Sequence, residues 1–431
     1  MSEAAAPGHV PLLVVADDHT GANATAGRLA SYGVDAVTVA AGTVSVPSGL
    51  AAPAVVVSTA SRSLDPSAAL HAVHAALEQA PDASLVAKRI DTTLRGNVGA
   101  EIDGVLRVLR DRGRLATALV VPAHPDGGRT TVGGVQLVGG QPLAATEAAA
   151  DARRPVRHSR VADVLAEQME GTVAEVGIDT VRAGGEALTA ALAADADVVV
   201  ADAVDDGDLV ALAHAAIAVG TQHGRRWLPC DPGPFTAAYA DAAGILGATP
   251  GTILAICGSV TSVTRSQLRE LRRRLRTELI AIDVDALDAA ALGEEMASAA
   301  ARHDVDAVVA ATATGSADVR TDLDDADAHR IAVELGRAAR TAVDGGDVAG
   351  LYLTGGDVTA GVLARLEADG LAVEREVLPL AVVGRVLGGP HAGTLAATKG
   401  GLVGDADAAA RCVLELRAAA RRCTRGGGGQ A

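Results

Sequence analysis

What most constrains the fold of this chain is a recurring pattern: a short apolar run, a polar tip, then a segment that reads as a helix. Residues 10–16 are almost wholly apolar and end in Asp17-Asp18-His19-Thr20-Gly21. Residues 34–40 and 54–58 repeat the pattern, the latter ending in Thr59-Ala60-Ser61-Arg62. Residues 84–87 lead into Lys88-Arg89-Ile90-Asp91-Thr92-Thr93-Leu94-Arg95-Gly96-Asn97, 116–121 into Pro122-Ala123-His124-Pro125, and 198–201 into Asp202. Helical segments are expected at 22–31, 66–79 and 100–109. Continuous apolar strands alternating with helices predict an α/β fold with largely parallel, doubly wound sheets. In such sheets ligands collect at the carboxyl ends of the strands, so the tips are the places to look for chemistry.

At 431 residues the chain exceeds one ordinary core. A segment with Pro229, Pro232, Pro234 and Pro250 suggests a boundary near it. We therefore expect two domains, residues 1–245 and 246–424, a cleft between them, and a disordered glycine-rich tail at 425–431. The second half restarts the pattern. Residues 252–257 end in Gly258-Ser259-Val260-Thr261, and 306–311 in Thr312-Ala313-Thr314-Gly315. Residues 350–353 end in Thr354-Gly355-Gly356-Asp357, and 395–398 in Lys399-Gly400-Gly401. Residues 126–142, rich in Gly and Thr, read as a loop or short hairpin.

The two sets of tips differ in chemistry. The first half offers Asp, Arg and Lys, which suit a small, polar, acidic substrate. The second offers Gly, Ser and Thr, whose backbone amides suit phosphates and a nucleotide. A net charge of -16 argues against nucleic acid or an anionic membrane as partner. No apolar stretch is long and uncharged enough for a membrane span, and no basic-then-apolar leader opens the chain. Four cysteines without C-x-x-C spacing predict thiols of a cytoplasmic protein, neither a disulfide framework nor a zinc site. There is no G-x-x-x-x-G-K-[ST], so a P-loop is excluded. Gly388–Thr394, without a lysine, reads as an ordinary loop. His71 and His74 share a helix face but have no third ligand nearby, so a solvated face outweighs a metal site. Asp17 and Asp18 as a pair fit helix capping and metal contact about equally.

Taken in order, these tips resemble the four-carbon acid sugar kinase family, which includes threonate, erythronate and 3-oxo-tetronate kinases. The family's A-D-D-x-T-G element is Ala16 to Gly21, and its S-R is Ser61-Arg62. K-x-x-D-S-T-L-R-G-N-x-G-x-E runs from Lys88 to Glu101, with Thr92 in the serine position, and P-A-x-P-x-x-G-R-T-T from Pro122 to Thr131. In the second half, Gly258-Ser259-Val260-Thr261 stands for G-S-x-S, and Gly355-Gly356-Asp357-Val358 for G-G-[DE]-T. The K-S-G-x-F-G element is Lys399 to Gly404, without its Ser and Phe.

The resemblance implies an N-terminal domain that binds the sugar acid and a C-terminal domain that binds ATP, with Mg2+. It implies substrate contacts from Asp17, Asp18, Ser61, Arg62, Lys88, Asp91, Arg95 and Gly96. Arg62, Lys88 and Arg95 would hold the carboxylate, and Lys88 or Arg95 the developing phosphoryl charge. Asp91 or Asp18 would take the proton of the terminal hydroxyl. Gly258, Ser259, Gly355, Gly356, Asp357, Val358 and Gly401 would line the nucleotide; protein ligands for the metal stay unassigned. A homodimer is an open assembly. Two other readings stand beside this one. The divergent second-half motifs fit a non-catalytic sugar-acid sensor, and Asp17-Asp18 fit a metal-dependent phosphatase or lyase, although no D-x-D is present.

Overall fold

A computed structural model of the chain describes residues 9–40, 52–80, 82–247, 251–320 and 322–426. The chain splits into two compact units, Met1–Ala30 with Val34–Thr249 and Ser31–Gly33 with Pro250–Ala431. In the first, the strands are β1 (His9–Ala16), β2 (Ala36–Ala40), β3 (Ala54–Ser58), β4 (Asp82–Arg89), β5 (Thr117–Val120) and β6 (Arg129–Val132). They continue with β7 (Val135–Val138), β8 (Gln141–Pro142), β9 (Val173–Val176), β10 (Val198–Ala201) and β11 (Trp227–Asp231). Eight of them form one sheet in the order β2-β3-β1-β4-β11-β5-β10-β9, with every pair parallel.

The inner strands of this sheet are buried on both faces, which explains their unbroken Val/Leu/Ala runs, while the edge strands β2 and β9 are only partly covered. From β1 the chain passes to the β2 side and returns through β3. It then crosses β1 to form β4 on the opposite side, so the direction of winding reverses between β1 and β4. That is where a doubly wound sheet opens a ligand crevice at its carboxyl edge. The helix Pro66–Gln79 starts where Pro66 follows Asp65, whose carboxylate accepts the Ala68 amide. The helix Val98–Asp111 packs against it and buries Ile102, Val105, Leu106 and Leu109, each contributing about 1.5–3 kcal/mol.

The second unit contains β12 (Thr252–Cys257), β13 (Thr277–Ala281), β14 (Ala307–Ala311), β15 (Val348–Thr354), β16 (Gly370–Leu378), β17 (Ala381–Leu387) and β18 (Leu395–Lys399). Its sheet runs β13-β14-β12-β15-β18-β17-β16, parallel except where β17 meets β16 and β18. The winding reverses again, between β12 and β15.

Four details differ from what the sequence suggests. The proline-rich segment supplies β11, a central strand, and the helix Pro234–Ala242. Residues 126–142 form a three-stranded antiparallel sheet, β6-β7-β8, rather than a single hairpin. The β16–β17 hairpin is not signalled, because β16 exposes the run Val373-Glu374-Arg375-Glu376 and shows no clean alternation. The C-terminal helix Ala408–Gly426 takes in the first two residues of the expected disordered tail; residues 427–431 lie outside the described ones. All four cysteines are free thiols, three of them buried.

Candidate active site

The tips of β1, β3 and β4 converge on one guanidinium. Arg62, just past β3, donates from Nε to Asp17 Oδ2 at 2.6 Å and from Nη2 to Asp17 Oδ1 at 3.0 Å, a bidentate pair. The same Nη2 lies 2.8 Å from Asp18 Oδ1 and 3.6 Å from Asp91 Oδ1. Arg89, the last residue of β4, reaches the pair from the other side: its Nη1 donates to Asp17 Oδ1 at 2.9 Å and Asp18 Oδ1 at 3.1 Å. A Cβ at Gly21 would come within 2.1 Å of the Arg89 guanidinium, so only glycine lets that side chain cross the start of the helix His19–Ser31. Asp18 also caps this helix by accepting the Gly21 amide at 2.8 Å.

Burial alone would raise the Asp17 carboxyl, but Arg62, Lys88 and Arg89 outweigh it and hold it below the usual carboxylate range. Burial likewise opposes ionisation of Asp91. The hydrogen bond from Arg95 Nε (2.7 Å), the charge of Arg62 and the bond from Thr93 Oγ1 (2.6 Å) prevail and lower it to about 2. All three carboxylates are therefore engaged by arginine. Asp18 is the most open of them, with 26% of its side chain exposed against 5% for Asp17 and Asp91. Its hydrogen bonds all fall on Oδ1, which leaves Oδ2 turned to no partner among the described residues.

Beneath this layer lies a buried network. Lys88 is 1% exposed. Its Nζ donates to Arg89 O at 2.6 Å and Val15 O at 3.3 Å, and lies 2.8 Å from Glu101 Oε2. Ser61, fully buried, donates to Glu101 Oε1 at 2.8 Å. Burial raises the Glu101 carboxyl, against the pull of Lys88. Lys88 and Ser61 thus face inward and tie the ends of β1, β3 and β4 together. Asn97 adds a further tie, donating to Ser61 O (3.1 Å) and Leu64 O (2.8 Å). Gly96, at φ +92°, turns the chain tightly past Arg62; a Cβ there would sit 3.1 Å from Arg62 Cγ. Arg95 remains one-third exposed, between Asp91 and Asp151. Arg89 and Glu101 lie within the charged stretch and motif read from the sequence but receive no site role there, and both prove central. Asp202 is structural: its carboxylate accepts the amides of Gly133, Gly134 and Ile178.

In the second unit the tips of β12, β15 and β18 meet in the same way. Thr261 and Thr264 donate to Gly401 O at 2.8 and 3.0 Å, and Thr264 donates to Ser259 Oγ at 3.0 Å. A Cβ on Gly401 would lie 2.2 Å from Ser259 Oγ, and one on Gly258 would lie 2.2 Å from Val358 Cγ2. Val358, where the family motif has Thr, is buried against Gly258. The Gly355 amide donates to Lys399 O, and the helix Gly356–Arg365 begins with no side-chain cap. Its first amides, beside exposed Gly356 and Asp357, therefore have no side-chain acceptor at the N-cap. Lys399, 3% exposed, mirrors Lys88 by donating to the carbonyls of Gly400 and Val403 in its own turn.

Comparison with known proteins gives this arrangement a lineage. A sugar-binding N-terminal domain model matches residues 12–239, and a nucleotide-binding C-terminal domain model matches residues 254–409. A D-erythronate kinase of Heliobacterium modesticaldum is 38% identical over 436 residues, covering 93% of this chain and 96% of the relative. A D-threonate kinase of Bordetella bronchiseptica is 32% identical over 418 residues, covering 94% and 97%. A crystal structure from Bordetella bronchiseptica, a domain-swapped dimer with bound citrate, shares 32% identity at a TM-score of 0.64, covering 94% of this chain and 98% of that one. With both domain models matched in order and full-length relatives above 30% identity, the chain belongs to the four-carbon acid sugar kinase family.

Proposed function

We propose that this protein transfers the γ-phosphoryl group of ATP to the terminal hydroxyl of a four-carbon sugar acid, with D-erythronate the first candidate. The observation that carries the reading is the Arg62 guanidinium bridging Asp17, Asp18 and Asp91 at the point where the first sheet reverses its winding. A cluster of cations and carboxylates there matches a small acid that also carries hydroxyls. The substrate class is taken from relatives named as D-erythronate, D-threonate and 3-oxo-tetronate kinases.

In this reading the exposed part of Arg95, together with Arg62, holds the substrate carboxylate, and Asp17 and Asp91 accept its hydroxyls. Lys88 and Ser61 act by positioning, since burial denies them direct contact. Asp18 is the general base: its Oδ2 is the freest carboxylate oxygen of the cluster, whereas Asp91 is held by Arg95 and Thr93 and too acidic to be an effective base. The uncapped start of Gly356–Arg365 and the Ser259–Gly401 contact hold the triphosphate. Phosphoryl transfer rests chiefly on such positioning and charge neutralisation. Among the described residues no cluster of three His, Cys, Asp or Glu side chains is arranged to cage a metal, and the site's aspartates are occupied by arginine. Mg2+ is accordingly assigned to the nucleotide, and no step here depends on it. The cytoplasm is the compartment proposed for the reaction, because ATP is its proposed donor. Among the described residues no helix is long and apolar enough to cross a membrane. A homodimer is proposed by analogy with the domain-swapped Bordetella structure.

The test is an ADP-release assay with D-erythronate, D-threonate and 3-oxo-tetronates. Folded protein that turns over none of them with Mg-ATP would refute the proposal, and sugar-acid binding without ATP binding would favour the sensor reading.

A further inference from the structure

A cavity of about 230 Å3 opens beside the turn that carries Arg95 and Gly96. Leu94, Gly96 and Asn97 line one side, and Arg153, Arg154, Arg157 and His158 another. None of Asp17, Arg62, Arg89 or Asp91 lines it, so it is distinct from the carboxylate cluster. We propose that this cavity is a second anion site that takes the phosphate group of a small phosphate monoester.

Charge is the first argument. Three arginines and a histidine share the cavity with one carboxylate, Glu167, which His158 Nε2 meets at 2.9 Å. The chain as a whole carries -16, so this lining runs against the global sign. That same negative field disfavours a long polyanion and leaves a small one.

Availability is the second argument. Arg154 is held by the carbonyls of Ser63 and Leu64. The side chains of Arg153 and Arg157 make no ion pair or hydrogen bond among the described residues, and both are exposed. Two free guanidiniums offer more donors than one carboxylate can accept, whereas a phosphate monoester presents three terminal oxygens and about two negative charges. The volume lies below the range of drug-sized ligand pockets, as expected for a small anion.

The site is wired to the active cluster. Asp151 Oδ1 accepts the backbone amides of Arg153 and Arg154 at 2.9 and 2.8 Å, and its Oδ2 lies 3.2 Å from Arg95 Nη1. Gln168, also in the lining, holds both Gly96 O (3.2 Å) and the Gly99 amide (2.8 Å). An anion drawn to Arg153 and Arg157 therefore bears on the segment that orients Arg95.

Calorimetric titration of the full chain with inorganic phosphate at constant ionic strength tests the proposal without any assay of turnover. One site is expected, weakened about tenfold or more in R153A/R157A, with an unchanged melting curve because both side chains are exposed. Glu167→Gln, which removes the opposing carboxylate, should tighten binding. 4-Phospho-D-erythronate should compete with phosphate. The proposal is overturned if wild type takes up no phosphate, if R153A/R157A binds it as well as wild type, or if Glu167→Gln does not bind it more tightly. It is also overturned if binding disappears in Arg62→Ala but persists in R153A/R157A, which would put the anion on the carboxylate cluster. An ester that fails to compete would overturn the monoester assignment and leave a site for free phosphate alone.

Discussion

At the scale of single residues, the site divides aspartates that look alike in sequence. Asp18 keeps an open oxygen, and Asp91 is clamped by Thr93, Arg95 and Arg62. Asp18→Asn should lower kcat by about two orders of magnitude with the sugar-acid KM little changed, as for a group acting only in the transition state. Asp91→Asn, by releasing Arg95, should raise KM as well; steady-state kinetics with sugar acid varied separates the two outcomes. Asp91 also gives a sign for pH dependence. Its carboxyl is lowered to about 2 in the folded state, from 3.8. Its contribution to stability, about 2 kcal/mol by linkage, is therefore present above the unfolded value and lost as pH falls through the folded one. The stability gap between wild type and Asp91→Asn, followed by urea unfolding from pH 5 down to 2, should narrow across that window. The sequence marks Lys88, Asp91 and Arg95 as one charged group but does not say that Lys88 points inward. Burial comes from strands remote in sequence, chiefly β1, whose Val15 carbonyl receives the ammonium.

At the scale of elements, the ends of β1, β3 and β4 are joined by the Lys88–Glu101–Ser61 network under the site. Glu101 lies on the helix Val98–Asp111, so the network fixes that helix to the sheet. Lys88→Met leaves a buried carboxylate without its cation and should cost about 3–5 kcal/mol. Adding Glu101→Leu should restore part of the loss; denaturant melts of the single and double variants measure both. In the second unit, Gly401→Ala forces Ser259 and the β18 turn apart. It should raise the KM for ATP about tenfold or more and leave the KM for sugar acid unchanged, as initial rates with each substrate varied would show. Most elements are legible from apolar runs and tips, and the exceptions have physical causes. Pro229 argues against a central strand, since it cannot donate to a ladder. β11 tolerates it because pairing with β4 begins only at Cys230, and Pro229 stands opposite Leu119 of β5 alone. The charged face of β16 hides a hairpin that closes the edge of the second sheet.

At the scale of the whole molecule, two mostly parallel sheets of like design carry unlike tips, charged in one and rich in glycine and hydroxyls in the other. Hydrogen exchange should report that division. A nonhydrolysable ATP analogue should protect amides near Gly258, Gly355 and Gly401, and a sugar acid should protect those near Asp17, Arg62 and Asp91. Protection by the nucleotide confined to the first unit would contradict the assignment. The sequence by itself determines the α/β class, the restart of the pattern in the second half and the identity of the tips. Those features follow from local rules: apolar runs that must be buried, glycines where the chain must turn, and charged residues that a strand interior would exclude. Only the tertiary structure decides which charges meet. Arg62 bridges three aspartates because β3, β1 and β4 are neighbours. Lys88 and Glu101 pair because the helix Val98–Asp111 carries Glu101 to the end of β4, and Arg153 and Arg157 come to the turn bearing Arg95 from more than 50 residues away. Burial and electrostatics depend on distance in space, which strand order sets and composition does not.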